Sequence, residues 1–174
     1  MSVHCYRLTL SALLLLLLGG CTDDNREPGM LQPGTWQQNI RFVNREQSSL
    51  STFRDRWLLV NFWSVGCPPC YAEMPDLKQF HAQGQKLGWT VIGIAMPYDR
   101  PDSVLSTVQK NQLNYPVALD LDGQLNQAFG GIELLPTSFL VDPQGNIVKR
   151  FTGKVSHETL VKTINQLQQN PTRS

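Results

Sequence analysis

Cys67-Pro68-Pro69-Cys70 sets two thiols with two residues between them, just after the apolar run Trp57–Trp63 and just before a stretch with helical spacing. This is the arrangement of a redox dithiol at a strand-to-helix turn. A cysteine at the first turn of a helix faces backbone N–H groups that have no partner, and the positive end of the helix dipole. Both favour its thiolate, the form that attacks disulfides. The two-residue spacer then lets Cys70 close a bridge back to Cys67. The same motif as half of a zinc site would need two further Cys or His ligands at suitable spacing, and the chain does not supply them.

The elements that must position the dithiol follow from periodicity. Trp57–Trp63 and Trp89–Ala95 are nearly continuous apolar runs, as expected of parallel strands buried on both faces. Pro68 and Pro69 suit a first helical turn, where a missing N–H is harmless. Met74, Leu77, Phe80 and Leu87 continue that helix on one face, with Pro75 expected to kink it. A second helix is expected from Pro101 to about Leu113, with Asp99 as N-cap and Val104, Leu105 and Val108 inward. Val117–Leu119 reads as a short strand and Leu125–Phe129 as a short helix. Ser138–Val141 and Ile147–Phe151 flank the turn Asp142-Pro143-Gln144-Gly145-Asn146, a hairpin signal. Ser156 can cap a last helix with Leu160, Val161, Ile164 and Leu167 on its inner face. Upstream, Gln37–Val43 suggests an edge strand or hairpin, and Leu50–Phe53 a short helical turn. Strands alternating with helices and ending in a hairpin and helix describe a three-layer α/β fold around a mixed sheet.

The other two cysteines, Cys5 and Cys21, belong to an export segment. His4 and Arg7 precede an apolar run from Leu8 to Leu18, then Gly19-Gly20-Cys21. The run is shorter than the ~20 residues a membrane-spanning helix needs and fits a cleavable signal peptide. Leu18-Gly19-Gly20-Cys21 resembles the bacterial lipoprotein signal, which implies acylation of Cys21 after removal of residues 1–20. An ordinary signal peptide and an uncleaved anchor are the competing readings. Residues 21–34, polar and rich in turn formers, read as a tether, residues 35–170 as one domain and 171–174 as a tail. With the leader gone, the domain carries one dithiol, outside the cytoplasm, where disulfides persist. Thr22 in place of aspartate after the acylated cysteine implies the outer membrane over the inner. A net charge of +1 without a basic stripe leaves nucleic-acid binding little to rest on.

Taken together, Val60-Asn61-Phe62-Trp63-Ser64, Cys67-Pro68-Pro69-Cys70-Tyr71-Ala72-Glu73-Met74-Pro75, Leu135-Pro136-Thr137-Ser138-Phe139-Leu140-Val141-Asp142 and Gly145-Asn146-Ile147 resemble the TlpA/ResA-like branch of the thioredoxin fold. The branch consists of exported, membrane-tethered thiol:disulfide oxidoreductases, including the cytochrome c maturation reductants. The resemblance covers about Leu50 to Leu167. It implies that Cys67 is the exposed nucleophile, Cys70 the buried resolving cysteine, and Glu73 an acid beside the site that takes part in its proton transfers. It also implies that Pro136 is cis and packs against the dithiol, with Leu135 offering backbone groups to an extended substrate. Thr137 beside them joins the expected substrate contacts, and so does Trp63 at the strand end, although a tryptophan in such a run is more often core than contact platform. Two features depart from the branch: Gly66 stands where tryptophan usually precedes the first cysteine, and the usual Ala-Pro-x-Phe lead-in is missing near Pro33-Gly34-Thr35-Trp36.

The chemistry expected is attack of the Cys67 thiolate on a substrate disulfide and release of the mixed disulfide by Cys70. Cys70 must lose a proton in an apolar setting, which calls for a base. Glu73, one helical turn on, is the candidate. Asn61 stands where thioredoxins proper carry a buried aspartate, and an amide takes up no proton. A solvated first-turn acid is the plainer reading of Glu73. Because Pro68 and Pro69 donate nothing to the thiolate and Glu73 is acidic, the couple is expected to be reducing. Partners would be disulfide-bearing exported proteins, a membrane-embedded thiol donor and the bilayer around Cys21, with no cofactor beyond the dithiol. Two other functions fit the motif: a copper(I) carrier, for which Met96 is a possible third ligand, and a thiol peroxidase. His81, about 20 Å along the helix from Cys67, reads as a surface residue.

Overall fold

The computed structural model describes residue 31 and residues 34–169. Seven strands form one mixed sheet: β1 (Asn39–Phe42), β2 (Gln47–Ser49), β3 (Trp57–Trp63), β4 (Trp89–Ala95), β5 (Val117–Leu119), β6 (Thr137–Val141) and β7 (Ile147–Thr152). The helices are α1 (Pro68–Leu87), α2 (Pro101–Lys110), α3 (Gln124–Ala128) and α4 (His157–Gln169), and Leu50–Phe53 is a 3-10 turn. The sheet order is β2-β1-β5-β4-β3-β6-β7. β3, β4 and β5 run parallel, while β6 pairs antiparallel with β3, so the start of β6 lies beside the end of β3 with Phe62 opposite Thr137.

The three parallel strands match the apolar runs residue for residue, because a strand covered on both faces has no polar face to blur its limits. Two right-handed crossovers in the same direction, β3-α1-β4 and β4-α2-β5, place α1 and α2 on one face of the sheet. There Leu59, Trp63, Met74, Leu77, Phe80, Val104, Leu160 and Ile164 form one core layer with the dithiol. The opposite face packs Trp36, Ile40, Phe62, Phe129 and Phe139 with Met96.

Several expectations are corrected. Leu31, assigned to the tether, is 2% exposed, and its N–H reaches the Gly145 carbonyl at 3.4 Å. The folded domain thus takes in chain before residue 35. Residues 1–30 with Cys21, and the tail at 171–174, lie outside the described residues. Among the described residues no helix is long and apolar enough to cross a membrane. α2 stops at Lys110, because Gln112 takes a left-handed conformation that cannot continue a helix. Leu105 and Leu87 are exposed, and Pro75 faces solvent inside a helix that runs unbroken past it.

His81 is buried, not superficial. β5 pairs with β4 only from Gly93 onward, which leaves the Val91 N–H without a strand partner, and His81 Nδ1 accepts it at 3.3 Å. Burial lowers the imidazole's pKa, which suits an acceptor. Gly84 completes this end of α1: a Cβ there would collide with Trp89, whose indole N–H donates to the Phe80 carbonyl at 2.9 Å.

Candidate active site

β3 delivers the chain to the edge of the sheet, and the turn Ser64–Gly66 carries it into α1. Cys67 is the N-cap, with extended backbone (φ −111°, ψ 96°), and Pro68 and Pro69 occupy the first helical positions. Cys67 and Cys70 are joined, S–S 2.03 Å. The Cys70 N–H, shared with the Cys67 carbonyl at 3.0 Å, also points at Cys67 Sγ at 3.2 Å, so the first N–H of the helix end faces this sulfur. Cys67 is the more exposed cysteine, but only at 8% against 2% for Cys70. The expectation of an openly exposed Cys67 is thereby corrected: its sulfur is turned inward onto Cys70, and Gly66, Pro68 and Pro69 form the exposed surface around it.

Glu73 lies one turn beyond Cys70 with no exposed surface. Its Oε2 accepts the Asn61 Nδ2 hydrogen at 2.9 Å, and its Oε1 accepts the Val155 N–H at 2.8 Å. Asn61 Nδ2 also donates to Ser138 Oγ at 2.9 Å, tying β3 to β6. Loss of hydration on burial raises the Glu73 pKa to about 7, outweighing the opposing pull of the two hydrogen bonds; Asp76 adds to the rise and Lys154 subtracts from it. The plainer reading as a solvated surface acid does not hold. At neutral pH this carboxyl is poised between its two protonation states.

Leu135-Pro136 is a cis peptide. Pro136 is buried, Leu135 half-buried, and the Pro136 carbonyl accepts the Gly153 N–H at 2.8 Å. Two expected substrate contacts are withdrawn into the core. Trp63 is 1% exposed and packs in the layer beneath the dithiol, and the Thr137 side chain is enclosed, its hydroxyl donating to the Leu134 carbonyl at 2.8 Å. Both sit on strands covered by neighbours, so neither reaches a partner from this position. Met96 packs on the face of the sheet opposite the dithiol. Among the described residues no group of three or more His, Cys, Asp and Glu is placed to hold a metal.

Asp99, expected as a helix cap, belongs to the site. α2 begins without a side-chain cap. The carboxylate instead accepts the Ser64 hydroxyl at 2.9 Å and the Val65 N–H at 3.1 Å. An acid shortly before a proline-started helix has the signature of a cap, and only the tertiary approach of the two loops diverts it.

The family model described as AhpC/TSA family matches residues 37–150. The chain belongs to that family. Within it, thiol-disulfide oxidoreductase ResA of Bacillus thuringiensis subsp. konkukian is 31% identical over 119 residues, 68% of this chain and 67% of the relative. The Bacillus cereus protein of that name is 28% identical over 170 residues, 92% of this chain and 96% of the relative. Among solved structures, a putative thioredoxin from Neisseria meningitidis superposes with a TM-score of 0.70 at 27% identity, over 79% of this chain and 91% of that one. StoA from Bacillus subtilis shares the fold at a TM-score of 0.63 and 24% identity, over 72% and 93%. This AhpC/TSA member is a ResA-like thiol-disulfide oxidoreductase with the thioredoxin fold, and its family's chemistry coincides with the joined pair Cys67 and Cys70.

Proposed function

We propose that the protein reduces disulfides in exported proteins from a lipid tether at Cys21, with Cys67 as nucleophile, Cys70 as resolving thiol and Glu73 as the proton acceptor for Cys70. The observation that carries the reading is Glu73, wholly buried one helical turn from Cys70 and titrating near neutrality. The Cys67 thiolate attacks one sulfur of the substrate disulfide, forming a mixed disulfide and expelling the other sulfur as a thiolate that takes up a proton. Cys70 passes its proton to Glu73 and attacks Cys67 Sγ. The Cys67–Cys70 bond forms, the second substrate thiolate leaves, and two electrons have moved to the substrate. A membrane-embedded dithiol donor then restores the reduced pair, and no cofactor beyond the dithiol is needed.

The reducing direction is supported by the spacer. Pro68 and Pro69 bring no N–H to the Cys67 sulfur, whose one donor from the motif is the Cys70 N–H. A weakly stabilised thiolate makes the dithiol form less stable and the couple more reducing. The half-buried Leu135, next to the cis bond, suits backbone pairing with an extended substrate segment.

Insulin reduction measures the activity: the native protein is expected to be active and Cys67→Ser inactive, and equal rates would refute the assignment. With Cys70→Ser, substrates are expected to remain bound to Cys67 as mixed disulfides whose identification names client and donor. Equilibration with glutathione at a potential close to that of strong periplasmic oxidants would reverse the proposed direction. Labelling with a fatty-acid precursor, lost on Cys21→Ser, tests the tether, and fractionation of the labelled protein decides between outer and inner membrane.

A further inference from the structure

Gly66 directly precedes the attacking cysteine, and nothing in the fold demands a glycine there. Its φ is not in the left-handed region, and a Cβ built on it meets no atom within 4 Å. A glycine free of both constraints adds backbone freedom where the nucleophile needs a fixed position. The turn is held instead from its sides. Asp99 takes the Ser64 hydroxyl on Oδ1 and the Val65 N–H on Oδ2. Ser64 passes the restraint on, its Oγ accepting the Gly66 N–H at 3.3 Å and its carbonyl the Cys67 N–H at 3.2 Å. The Val65 carbonyl accepts the Tyr71 hydroxyl at 2.8 Å, from α1 itself. Asp99 is anchored in turn, because its N–H bonds the Met96 carbonyl and the Met96 N–H bonds the Trp63 carbonyl at the end of β3. The neighbouring Arg100 pairs with Asp102 and leaves Asp99 to the turn.

We propose that Asp99 is a positioning residue for the reaction: through Ser64 and Val65 it clamps the glycine-loosened turn so that Cys67 Sγ stays at the N-terminus of α1, facing the Cys70 N–H. Asp99 touches neither sulfur and acts through the two residues it binds. The clamp substitutes for the stiffness that a bulky residue at position 66 would bring. The inference rests on the functional reading only in taking Cys67 as the attacking thiol.

The test is alkylation of Cys67 by iodoacetamide in the full chain carrying Cys70→Ser, from pH 5 to 10, with the label read at Cys67 by peptide mass. Each event forms one S–C bond and releases iodide, so the rate needs no disulfide substrate or electron donor. With Asp99→Leu added, the rate at pH 7 is expected to fall roughly fivefold or more, and the apparent thiol pKa to rise, because the sulfur leaves the helix end. Deleting a negative charge without moving the turn does the opposite, lowering the pKa and speeding alkylation. Adding Gly66→Ala to Asp99→Leu is expected to recover at least half of the lost rate by stiffening the turn. An unchanged or faster rate overturns the proposal, and so does a loss that Gly66→Ala fails to recover. If Asp99→Leu does not fold, Ser64→Ala, which deletes one of the two bonds, is judged by the same criteria. A protein whose Cys67 obeys these expectations but which reduces no disulfide would sink the functional reading and leave the clamp standing.

Discussion

Glu73 and Asp120 are both buried carboxyls whose two oxygens each accept a hydrogen bond, yet they serve different ends. Asp120, just after β5, accepts the N–H groups of Leu125 at 3.0 Å and Asn126 at 2.8 Å, five and six residues on. It closes a local turn and caps the start of α3. Glu73 is bonded to Asn61, twelve residues back, and to Val155, 82 residues on, one helical turn from a joined pair of sulfurs. Burial raises both pKa values, with Glu73 reaching about 7. Burial is common to both carboxyls; on the proposed mechanism what sets Glu73 apart is a neighbouring thiol, Cys70, with which it can exchange a proton.

The largest expected effect that sharpens this contrast is on stability. An unfolded glutamate releases its proton near 4.5, whereas folded Glu73 keeps it to about 7. The folded state therefore holds more protons in between, and stability falls as pH rises through that window, by at most about 3–4 kcal/mol at 1.36 kcal/mol per pKa unit. Guanidinium unfolding of the oxidised protein at pH 5 and pH 8 measures the fall, and Glu73→Gln is expected to remove most of it. If Asp120→Asn removes it instead, the two carboxyls have been assigned the wrong way round.

Next in size, Glu73→Gln is expected to slow resolution of a Cys67 mixed disulfide by about a hundredfold at pH 7 and to erase an inflection near neutrality from its pH profile. Stopped-flow single turnovers read both. Asn61→Asp sets a second carboxyl within bonding distance of Glu73, and the pair is expected to share a proton and push that inflection upward by about one unit. An unchanged or lower inflection would mean that the two carboxyls do not share a proton.

Smaller effects fall on the structural carboxyl and the outer partner. Asp120→Ala loses the cap of α3 and is expected to lower stability by roughly 1–2 kcal/mol while leaving insulin reduction unchanged. A proportional loss of activity would break the distinction. Ser138→Ala removes one acceptor from Asn61, at about 1 kcal/mol or less, and chemical denaturation resolves it.

How legible the molecule is depends on whether a residue's role is local. β3, β4 and β5 read off the sequence to the residue because each is an apolar run with a polar residue, a glycine or a proline within two residues of either end. The dithiol reads off because its two cysteines are neighbours on one turn. Asp99 and His81 do not, since each bonds a backbone group that some other element leaves open. Trp63 and Thr137 are close in sequence to the site, which suggests a part in substrate contact, but the packing of neighbouring strands covers both, as the apolar run around Trp63 already favours.

By itself the amino-acid order determined the alternation of strands and helices, the joined thiols at the head of α1 and the acid one turn behind them, because periods of two and 3.6 residues and a three-residue spacing are local geometry. Only the folded chain decided that this acid would be dry, held by β3 on one side and by the segment before α4 on the other, and that a distant aspartate would steady the turn before Cys67. Those outcomes depend on which segments converge once two core layers close around the sheet. The free energy of removing a charge from water is set by all of them together.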